Sequence, residues 1–498
     1  MNKEILINIE PQEKRLAVLE NKVLEEFSVE RFGEKRVVGN VYKGRVSSVV
    51  PAVKAAFVSL GLEKNGYLYL ADVVGLGMDF EALDKEEEEK KQQQRGRQNH
   101  QSIDQLLKKG QEVLIQVTKE PFGTKGARLT THISLPGRYI VLLPFDRHLG
   151  ISRRISDDKE RVRLKEILRG LEVPAEMGVI IRTAGIGQTK RELSRDLKYL
   201  LGLWRKIKIG AARKSSPALL HEEYDLTLRV ARDYLTEDVE KLVIDNRDEY
   251  RKVQHFLSAV APHLRQKVEL YEGDIPLFDR KMIEKDVEKL FERKVPLKCG
   301  GYIVIEPTEG LVAIDVNSGK FTAKKSLEET AFAVNTEAAI EVARQIRLRD
   351  LGGIIVIDFI DMMQASRRRK VFETMVEALK RDKAKTDVSP LSELCLVEMT
   401  RQRMRRSVES MSFRECPYCQ GRGLIKSVST VSIQALRKVK KYLKETKKKQ
   451  VELHAHPEVA SRLFNEDRPA IETIERIFRA KIIVKADPLL HVEDIKLI

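Results

Sequence analysis

The chain has 498 residues, 42% of them hydrophobic and 33% charged, which suits a folded protein of several domains and excludes wholesale disorder. Lys and Arg number 91 against 75 Asp and Glu, and the net charge of +16 favours a polyanionic partner: nucleic acid, an anionic membrane face or an acidic protein. Four cysteines are too few for disulfides to stabilise a chain of this length. No apolar run approaches the ~20 residues of a membrane span. The start MNKEILINIEP lacks the apolar core of a signal peptide. We therefore expect a reduced, cytoplasmic protein that does not enter a membrane.

The first third of the chain shows strand patterns. Residues 1–35 alternate as short strands with a turn at Pro11, and residues 37–74 are β-branched and punctuated by glycine, which is typical of a small barrel or meander. Residues 78–104 have almost no apolar content and indicate a mobile loop insert, to which no role is assigned. Strand patterns resume at residue 111 and continue to about residue 145.

Helical and strand patterns alternate in the middle of the chain. Helices are predicted over 157–170, 189–209 and 247–270, and GVIIRTAGIG (178–187) reads as a strand that enters a Gly-rich turn. Arg182 and Thr183 precede that turn, so a guanidinium, a hydroxyl and backbone amides could together hold a terminal phosphate. A nucleotide-binding loop of the NTPase kind is not supported, because Gly319-Lys320 is followed by Phe rather than Ser or Thr.

Residues 297–361 give the clearest pattern. YIVIEPTEGLVAIDVNSG predicts two strands around a turn at 307–310, and residues 326–351 have helical periodicity that begins with a capping box of Ser326 and Glu329. IIVIDFID (354–361) predicts a buried strand. Strand, long helix and strand in this order imply a crossover connection and parallel pairing.

Asp315 and Asp358 each close one of these two strands, so parallel pairing would place both carboxylates at one rim of the sheet. Asn317 lies two residues after Asp315 and would project to the same side. Two converging carboxylates with an amide beside them are a ligand set that Mg2+ accepts while it keeps waters for a phosphate. On spacing alone, capping of turns and helices is the commoner role for such residues. Asp361 competes as a ligand and is expected to be structural.

Basic runs flank this rim in sequence: RQIRLRD (344–350), SRRRK (366–370) and RQRMRRS (401–407). Any single run is more often a solvated helix face, but three beside one candidate metal site favour a polyanionic substrate. A fourth cluster at 437–449 has no such neighbour and is left as generic or RNA-attracting surface charge.

Phe57 and Tyr67 lie in the barrel segment with Lys43, Arg45 and Lys54 nearby in sequence. Aromatic residues among basic ones on a small barrel suit single-stranded nucleic acid. Burial of the two rings in the core is the alternative.

Cys416 and Cys419 form a Cys-x-x-Cys pair followed by QGRG, which in a reduced compartment indicates zinc or redox chemistry. Structural zinc takes four ligands, and Cys299 and Cys395 are single residues expected to be buried. His454 and His456 could complete the set within one chain. A simpler way to complete the four ligands is that two chains each contribute Cys416 and Cys419 to one zinc.

Several longer segments carry a resemblance to a known family. GGYIVIEPTEGLVAIDVNSG, LEETAFAVNTEAAIEVARQIRLRDLGGIIVIDFIDM and CPYCQGRG resemble the bacterial ribonuclease E/G endoribonucleases, as do VYKG (41–44), AAFV (55–58) and GISRRI (150–155). The likeness covers about residues 1–425 in order. The chain is more similar to the ribonuclease G type, because it shows no long disordered C-terminal extension.

The resemblance implies a multidomain α/β fold with an all-β S1 (OB-type) barrel, an RNase H-like subdomain and a DNase I-like subdomain. The implied domains are the RNase H-like region in two parts (1–35 and 227–290), the S1 barrel (36–131), the 5′-sensor region (132–226), the DNase I-like catalytic subdomain (291–412), the zinc link (413–427) and a small C-terminal domain (428–498).

The resemblance also implies site residues. The catalytic metal ligands fall on Asp315, Asn317 and Asp358, in agreement with the interpretation above. The remaining implied contacts are a 5′-monophosphate pocket at Gly137, Val141, Arg182, Thr183 and Lys385, and S1 contacts at Phe57, Tyr67 and Lys125. The family pattern has Arg where this chain has Lys385, and a lysine offers a point charge rather than a bidentate fork.

The expected function is that of a Mg2+-dependent endoribonuclease that cuts single-stranded A/U-rich RNA, leaves 5′-phosphate and 3′-hydroxyl ends, and responds to a 5′-monophosphate. The implied roles are ribosomal RNA maturation and messenger turnover, with Zn2+ shared between protomers of a homodimer and larger assemblies built from such dimers. The alternative is a non-catalytic S1-type RNA-binding or ribosome-assembly factor, which would gain nothing from clustered carboxylates facing a polyanion. A DNA nuclease fits the composition but not the resemblance.

Overall fold

The computed structural model describes residues 2–33, 36–73, 102–121, 125–320, 326–403 and 412–498. The chain divides into two compact units, Met1–Val408 and Glu409–Ile498. The predicted insert lies outside the described residues up to position 101. Residues 102–104 belong to the start of a short helix, Ile103–Leu106.

The helices in the described ranges differ widely in length, from the single turn Ile103–Leu106 to the long helix Lys190–Arg213. The helices are Ile103–Leu106, Asp158–Arg169, Lys190–Arg213, Leu226–Asp233, Arg247–Val260, Leu277–Arg280, Glu284–Glu288, Leu327–Leu348, Ala365–Leu379, Val428–Thr446, Pro457–Asn465 and Arg468–Phe478. The strands are β1 (Lys3–Ile9), β2 (Glu13–Glu20), β3 (Val23–Arg31), β4 (Val41–Val50), β5 (Ala55–Ser59), β6 (Gly66–Tyr69), β7 (Glu112–Lys119), β8 (Arg128–Thr130), β9 (Leu135–Pro136), β10 (Ile140–Leu143), β11 (Leu149–Ile151), β12 (Gly178–Ile181), β13 (Ala218–His221), β14 (Val239–Ile244), β15 (Val268–Leu270), β16 (Lys294–Pro296), β17 (Tyr302–Pro307), β18 (Leu311–Asn317), β19 (Gly353–Asp358), β20 (Thr386–Val388), β21 (Leu396–Arg401), β22 (Gln450–Ala455), β23 (Lys481–Ala486) and β24 (Ile495–Leu497).

The first sheet has the order β15-β14-β1-β2-β3. The short strands predicted in residues 1–35 are confirmed as β1, β2 and β3, and the structure shows them as antiparallel neighbours, whereas β1, β14 and β15 run parallel. The prediction of one helix over 247–270 is wrong beyond Val260. Proline has no backbone N–H to continue a helix, and Pro262 begins a 3-10 segment that leads into β15.

Strands β4, β5, β6, β8 and β7 form a closed five-stranded barrel, because β4 pairs with both β5 and β7. β13 extends this sheet by pairing with β4. Fully buried β-branched and leucine side chains, among them Val58, Leu68 and Ile115, fill the barrel interior. The predicted small barrel is confirmed, and it is consistent with an S1-like barrel.

The next region contains a sheet of order β11-β12-β10-β9 and two long helices. Asp157 caps the helix Asp158–Arg169, and a complete capping box of Thr189 and Glu192 begins the helix Lys190–Arg213. Both helices agree with the sequence prediction.

A six-stranded mixed sheet has the order β16-β17-β18-β19-β21-β20. The helix Leu327–Leu348 connects β18 to β19, and the Ser326 hydroxyl accepts a hydrogen bond from the Glu329 amide at its start (3.1 Å). Strands β18 and β19 are parallel, as predicted. Their core residues include Ile314 and Ile357, which are almost completely buried.

The second unit is a small α/β domain with the sheet order β23-β22-β24. Val439, Leu443 and Leu453 belong to its core, which the helix Val428–Thr446 covers.

None of the helices in the described ranges combines the length and the apolar character needed to cross a membrane.

Candidate functional site

The carboxylate rim lies at the carboxyl ends of β18 and β19, where Asp315 and Asp358 are direct register partners. The hairpin β17–β18 fixes the approach of β18, because Thr308 closes its turn with hydrogen bonds to and from Leu311. Apolar residues on either side of each aspartate are buried, so the two carboxylates are left on the exposed side of the strands. The sequence prediction of a shared rim is confirmed in its geometry.

Asn317 belongs to the same rim. Its Nδ2 donates to Asp315 Oδ2 at 2.7 Å, which orients that carboxylate beside Asp358. Partial burial, the charge of Asp315 and the charge of Asp361 together raise the pKa of Asp358. A cation between the two carboxylates would relieve this repulsion, so the donor set of two carboxylates and an amide fits Mg2+.

The rim does not form a closed protein cage. Within the described ranges, no three His, Cys, Asp or Glu side chains gather closely enough to enclose a metal ion. Mg2+ usually keeps several waters and takes only one or two carboxylates from the protein, so an open rim of this kind is compatible with it.

The first basic run does not face the rim as the sequence suggested. Arg344 donates to the Leu24 carbonyl, and Arg347 forms an ion pair with Glu25 at 2.7 Å, so both arginines join the helix Leu327–Leu348 to β3. Arg349 is buried and donates to Gln345. These three arginines are structural.

The second and third runs divide between structural and exposed roles. Arg368 donates to the carbonyls of Met362 and Met363 and braces the loop after Asp358, whereas Arg369 is exposed. Arg401 is buried and pairs with Asp382 and Asp350. Positions 404–407 lie outside the described residues.

The predicted phosphate pocket gathers around Arg182. Its Nη1 donates to the Gly137 carbonyl (2.5 Å) and lies 2.8 Å from Asp233 Oδ1. Thr183 opens a 3-10 turn directly after Arg182, and Val141 lies on β10 opposite Ile180. The structure therefore brings four of the five predicted residues into one sheet and its adjoining turn.

Lys385 lies elsewhere in the chain, immediately before β20 in the mixed sheet, and its carbonyl accepts from the Gln402 amide. The segment that precedes β20 contacts the region around Arg182 through Lys383. The Lys383 amine lies 3.1 Å from the ring centroid of Tyr234, and the Lys383 carbonyl accepts a hydrogen bond from Arg154. No local sequence pattern points to Lys383.

Two acidic residues that the sequence interpretation missed support this pocket. Asp196 accepts hydrogen bonds from the amides of Arg138, Tyr139 and Ile140 and is fully buried. A Cβ at Gly137 would lie 2.6 Å from Asp196 Oδ2, so a side chain there is excluded sterically. Asp196 thus fixes the loop that carries the carbonyl acceptor of Arg182.

Asp233 holds both Arg182 and Arg232. Burial alone would raise the pKa of Asp233, but these two guanidinium groups lower it, so the carboxylate is ionised. The Arg182 guanidinium is consequently held in place by two fixed acceptors.

The two predicted aromatic residues of the barrel are direct partners on β5 and β6. Phe57 is 36% exposed and Tyr67 is half-buried, so complete burial of the pair is excluded. Tyr69, which was not predicted, packs edge-to-face on Tyr67 at 5.3 Å and lies under the Arg128 guanidinium. Lys125 is exposed beside β8.

Two basic residues near this surface are already engaged. Glu112 lies 2.8 Å from the Lys43 amine and 3.5 Å from Arg45. Hydrogen bonds from Lys43 and Ser216 lower the pKa of Glu112 to about 2. Lys43 and Arg45 are therefore partly neutralised.

The Cys-x-x-Cys pair lies in the second unit and forms a tight turn. Gly423 has a positive φ of 71°, and its amide donates to the Cys419 sulfur at 3.3 Å. The amides of Cys419 and Tyr418 lower the pKa of the Cys416 thiol, which favours the thiolate that zinc requires.

A histidine that was not predicted supports this turn. His491 contacts the Tyr418 carbonyl through Nε2 (2.7 Å), while its Nδ1 accepts from the Glu493 amide. The candidate in-chain ligands do not join the cysteines: His454 contacts Glu452, and His456 caps the helix Pro457–Asn465. Of the other two cysteines, Cys395 is buried as predicted and Cys299 is half-buried.

Comparison with known proteins gives whole-length similarity. Residues 134–404 match the Ribonuclease E/G family, and residues 415–498 match a family described as RNase E/G, Thioredoxin-like domain. Ribonuclease G of Escherichia coli (strain K12) is 38% identical over 493 residues, which is 99% of each chain. Ribonuclease G of Haemophilus influenzae is 38% identical over 491 residues, 98% of each chain. Ribonuclease E of Haemophilus influenzae is 41% identical over 484 residues, 97% of this chain and 50% of that protein.

Proposed function

This chain belongs to the ribonuclease E/G family and is an endoribonuclease, and we propose that it cuts single-stranded, A/U-rich RNA in a Mg2+-dependent reaction. The products would carry 5′-phosphate and 3′-hydroxyl ends, and a 5′-monophosphate on the substrate would stimulate cleavage. The observation that carries the proposal is the register of Asp315 with Asp358 at one exposed rim.

In the proposed site, Asp315 and Asp358 hold Mg2+, and Asn317 orients Asp315 through its 2.7 Å hydrogen bond. Mg2+ bound there would supply the Lewis acidity that polarises a phosphodiester and stabilises the leaving oxygen. Asp361 stays outside the ligand set and adds negative charge beside Asp358. The loop that follows Asp358 is held by Arg368, so the carboxylate keeps its position when RNA arrives.

The proposed 5′-monophosphate pocket comprises Gly137, Val141, Arg182, Thr183 and Lys385. Arg182 keeps hydrogen-bond donors for a phosphate while Gly137 and Asp233 hold its Nη1. A guanidinium with fixed acceptors loses little side-chain entropy when it binds an anion. The Thr183 hydroxyl and the backbone amides of the following turn would complete the contact.

The proposed RNA contacts of the barrel are Phe57, Tyr67 and Lys125. The partly exposed Phe57 ring and the neighbouring tyrosines offer stacking faces that accept any unpaired base. Such faces favour a single strand, because bases inside a duplex are already stacked.

The proposed domain assignment follows the sheets. The β15-β14-β1-β2-β3 order supports an RNase H-like region (1–35 and 227–290), interrupted by the S1 barrel (36–131) and the 5′-sensor region (132–226). The mixed sheet that carries the aspartates would be the DNase I-like subdomain (291–412), followed by the zinc link (413–427) and the C-terminal domain (428–498).

For assembly, we propose that Cys416 and Cys419 of two chains share one structural Zn2+ in a homodimer, from which larger assemblies could form. Two thiolates per chain, with no further metal-ligating cluster in the described ranges, support two chains per ion. The proposed setting is the cytoplasm, with ribosomal RNA precursors and messenger RNA as substrates.

A direct test uses short single-stranded RNAs that differ only in a 5′-monophosphate or 5′-hydroxyl, each incubated with Mg2+ or EDTA. We expect internal cleavage of both RNAs with Mg2+, faster for the 5′-monophosphate form, and none with EDTA. RNA binding without any Mg2+-dependent cut would instead support the non-catalytic RNA-binding alternative.

A further inference from the structure

The helix Val428–Thr446 and the turn after it carry a concentrated positive charge on one side. Eight Lys and Arg side chains between positions 437 and 449 are exposed, against a single acidic residue in the same stretch, Glu445. The eight are Arg437, Lys438, Lys440, Lys441, Lys444, Lys447, Lys448 and Lys449. We call this set the basic face.

The folded core of the second unit determines where the basic face points. Val431, Ala435, Val439 and Leu443 recur at intervals of four on the helix and are buried in the core. At 100° per residue, Arg437, Lys441 and Lys444 fall on the opposite side of the helix, within a narrow sector. Side chains three or four positions apart on a helix lie about 5–6 Å from one another, so these cations form a continuous stripe.

Carboxylates neutralise little of this charge. In the described part of the chain, Lys441 is the member of the basic face that has a carboxylate within 4 Å, and its distance to Glu445 is 3.9 Å with both side chains largely exposed. Lys448 instead contacts the Tyr442 hydroxyl at 2.8 Å. Concentrated cations that repel one another destabilise a surface unless they bind an anion.

We propose that the basic face binds the phosphate backbone of RNA, independently of its sequence, through nucleotides other than those bound at the carboxylate rim. The proposal rests on the proposed function, since it assumes that RNA is the polyanion this protein meets. A row of cations along a helix complements the regular charge of a nucleic-acid backbone. The basic face would therefore increase the affinity for long RNAs and add nothing for short ones.

An anionic membrane is the competing partner for a basic helix. A helix that lies in a membrane interface inserts an apolar face between the lipids. Here that face is already buried against β22 and the neighbouring helices, and apart from the exposed Ile433 the helix offers mainly charged side chains to a partner. This observation favours RNA.

The test compares two double variants of the full-length protein. Lys440→Gln/Lys444→Gln removes two charges from the basic face. Arg468→Gln/Arg476→Gln removes two charges from exposed positions on another helix of the same unit, where Arg468 is already paired with Glu472. Lys440→Arg/Lys444→Arg keeps the charge and should behave as the wild type. Circular dichroism of all variants shows whether the fold is retained.

Affinity is measured over a series of salt concentrations, for an RNA of about sixty nucleotides and for one of about ten that contains the same cleavage site. With the long RNA, we expect Lys440→Gln/Lys444→Gln to bind about three- to tenfold more weakly at low salt. The slope of log K against log salt should become shallower by about 1.4–1.8, the value for two lost phosphate contacts. The short RNA should bind and be cleaved as by the wild type.

Three results would overturn the proposal: an unchanged affinity for the long RNA, an equal loss in Arg468→Gln/Arg476→Gln, or an equal loss for the short RNA. Binding to phosphatidylglycerol vesicles that disappears in Lys440→Gln/Lys444→Gln while RNA affinity stays constant would assign the surface to membranes instead. Failure of the wild type to cleave either RNA would overturn the proposed function, and the affinity comparison would still decide the role of the basic face.

Discussion

Asp315 and Asp358 face each other across a parallel strand pair whose register is regular from Leu311 and Ile354 to the rim. A shift of one residue would turn one carboxylate to the other face of the sheet, because side chains alternate along a strand. The common position of the two carboxylates is therefore a consequence of strand pairing.

The first prediction concerns this rim. Asp315→Asn or Asp358→Asn should abolish Mg2+-dependent cleavage, because an amide is a weaker ligand for a hard cation than a carboxylate. RNA affinity should hold or rise, since a negative charge near phosphate is removed. Cleavage and binding assays measure the two effects, with Asp286→Asn, which lies at a partly exposed position, as control. Near-normal turnover in either rim variant would exclude that residue as a ligand.

The second prediction concerns the 5′ end. Arg182→Ala should remove most of the preference for 5′-monophosphate RNA, a loss of about 1.5–3 kcal/mol or roughly ten- to a hundredfold in relative kcat/KM. Cleavage of 5′-hydroxyl RNA should continue. Arg191→Ala, at an exposed position on the helix Lys190–Arg213, is the control. Equal slowing of both RNAs by Arg182→Ala would assign Arg182 to structure.

The third prediction concerns pH and the Gly-rich turn. Glu160 accepts hydrogen bonds from Arg163 and from the Gly187 amide, and mainly the Arg163 contact lowers the pKa of Glu160 to about 2. Because the folded-state pKa is below the ordinary value, the stabilising contribution is complete above about pH 4.5 and disappears as the pH falls towards about 2.

Glu160→Gln should therefore lower the Tm by the same amount at pH 7 and at pH 5, and the difference from the wild type should shrink below pH 4.5. Thermal unfolding followed by circular dichroism over this pH range measures the effect. A difference that grows on acidification would show that the carboxylate is not the stabilising form.

The fourth prediction concerns the barrel. Phe57→Ala and Tyr67→Ala should each weaken single-stranded RNA binding by about 1–3 kcal/mol if one base stacks on each ring. Leu62→Ala, which truncates a comparably exposed apolar side chain of the same barrel, should have little effect. Binding is measured with the Asp315→Asn protein so that the RNA stays intact. Equal losses in all three variants would point to loss of barrel stability.

The fifth prediction concerns the cysteines. Purified protein should contain half a zinc ion per chain, and Cys416→Ser/Cys419→Ser should lose both the zinc and the dimer. Metal analysis and sedimentation measure the two properties, with Cys299→Ser as control. One zinc per chain in a stable monomer would contradict a shared site.

Local sequence patterns predicted a structural element correctly wherever the interactions that form the element are close in sequence. The Ser326 cap, the turn at Thr308 and the strands that carry Asp315 and Asp358 each follow from residues within a few positions of one another. One local prediction was wrong. Apolar periodicity predicted a helix up to residue 270, although the backbone of Pro262 cannot continue a helix.

By itself, the sequence determined the barrel, the strand–helix–strand unit, the paired aspartates and the Cys-x-x-Cys turn, because periodicity, turn residues and short spacings encode them. Only the tertiary structure decided which charges remain available for RNA. Arg347 is neutralised by Glu25, which is 322 positions away, and Arg182 is held by Asp233 from another element. Partners so distant in sequence meet through packing of whole elements, and no local pattern specifies which carboxylate will reach which arginine.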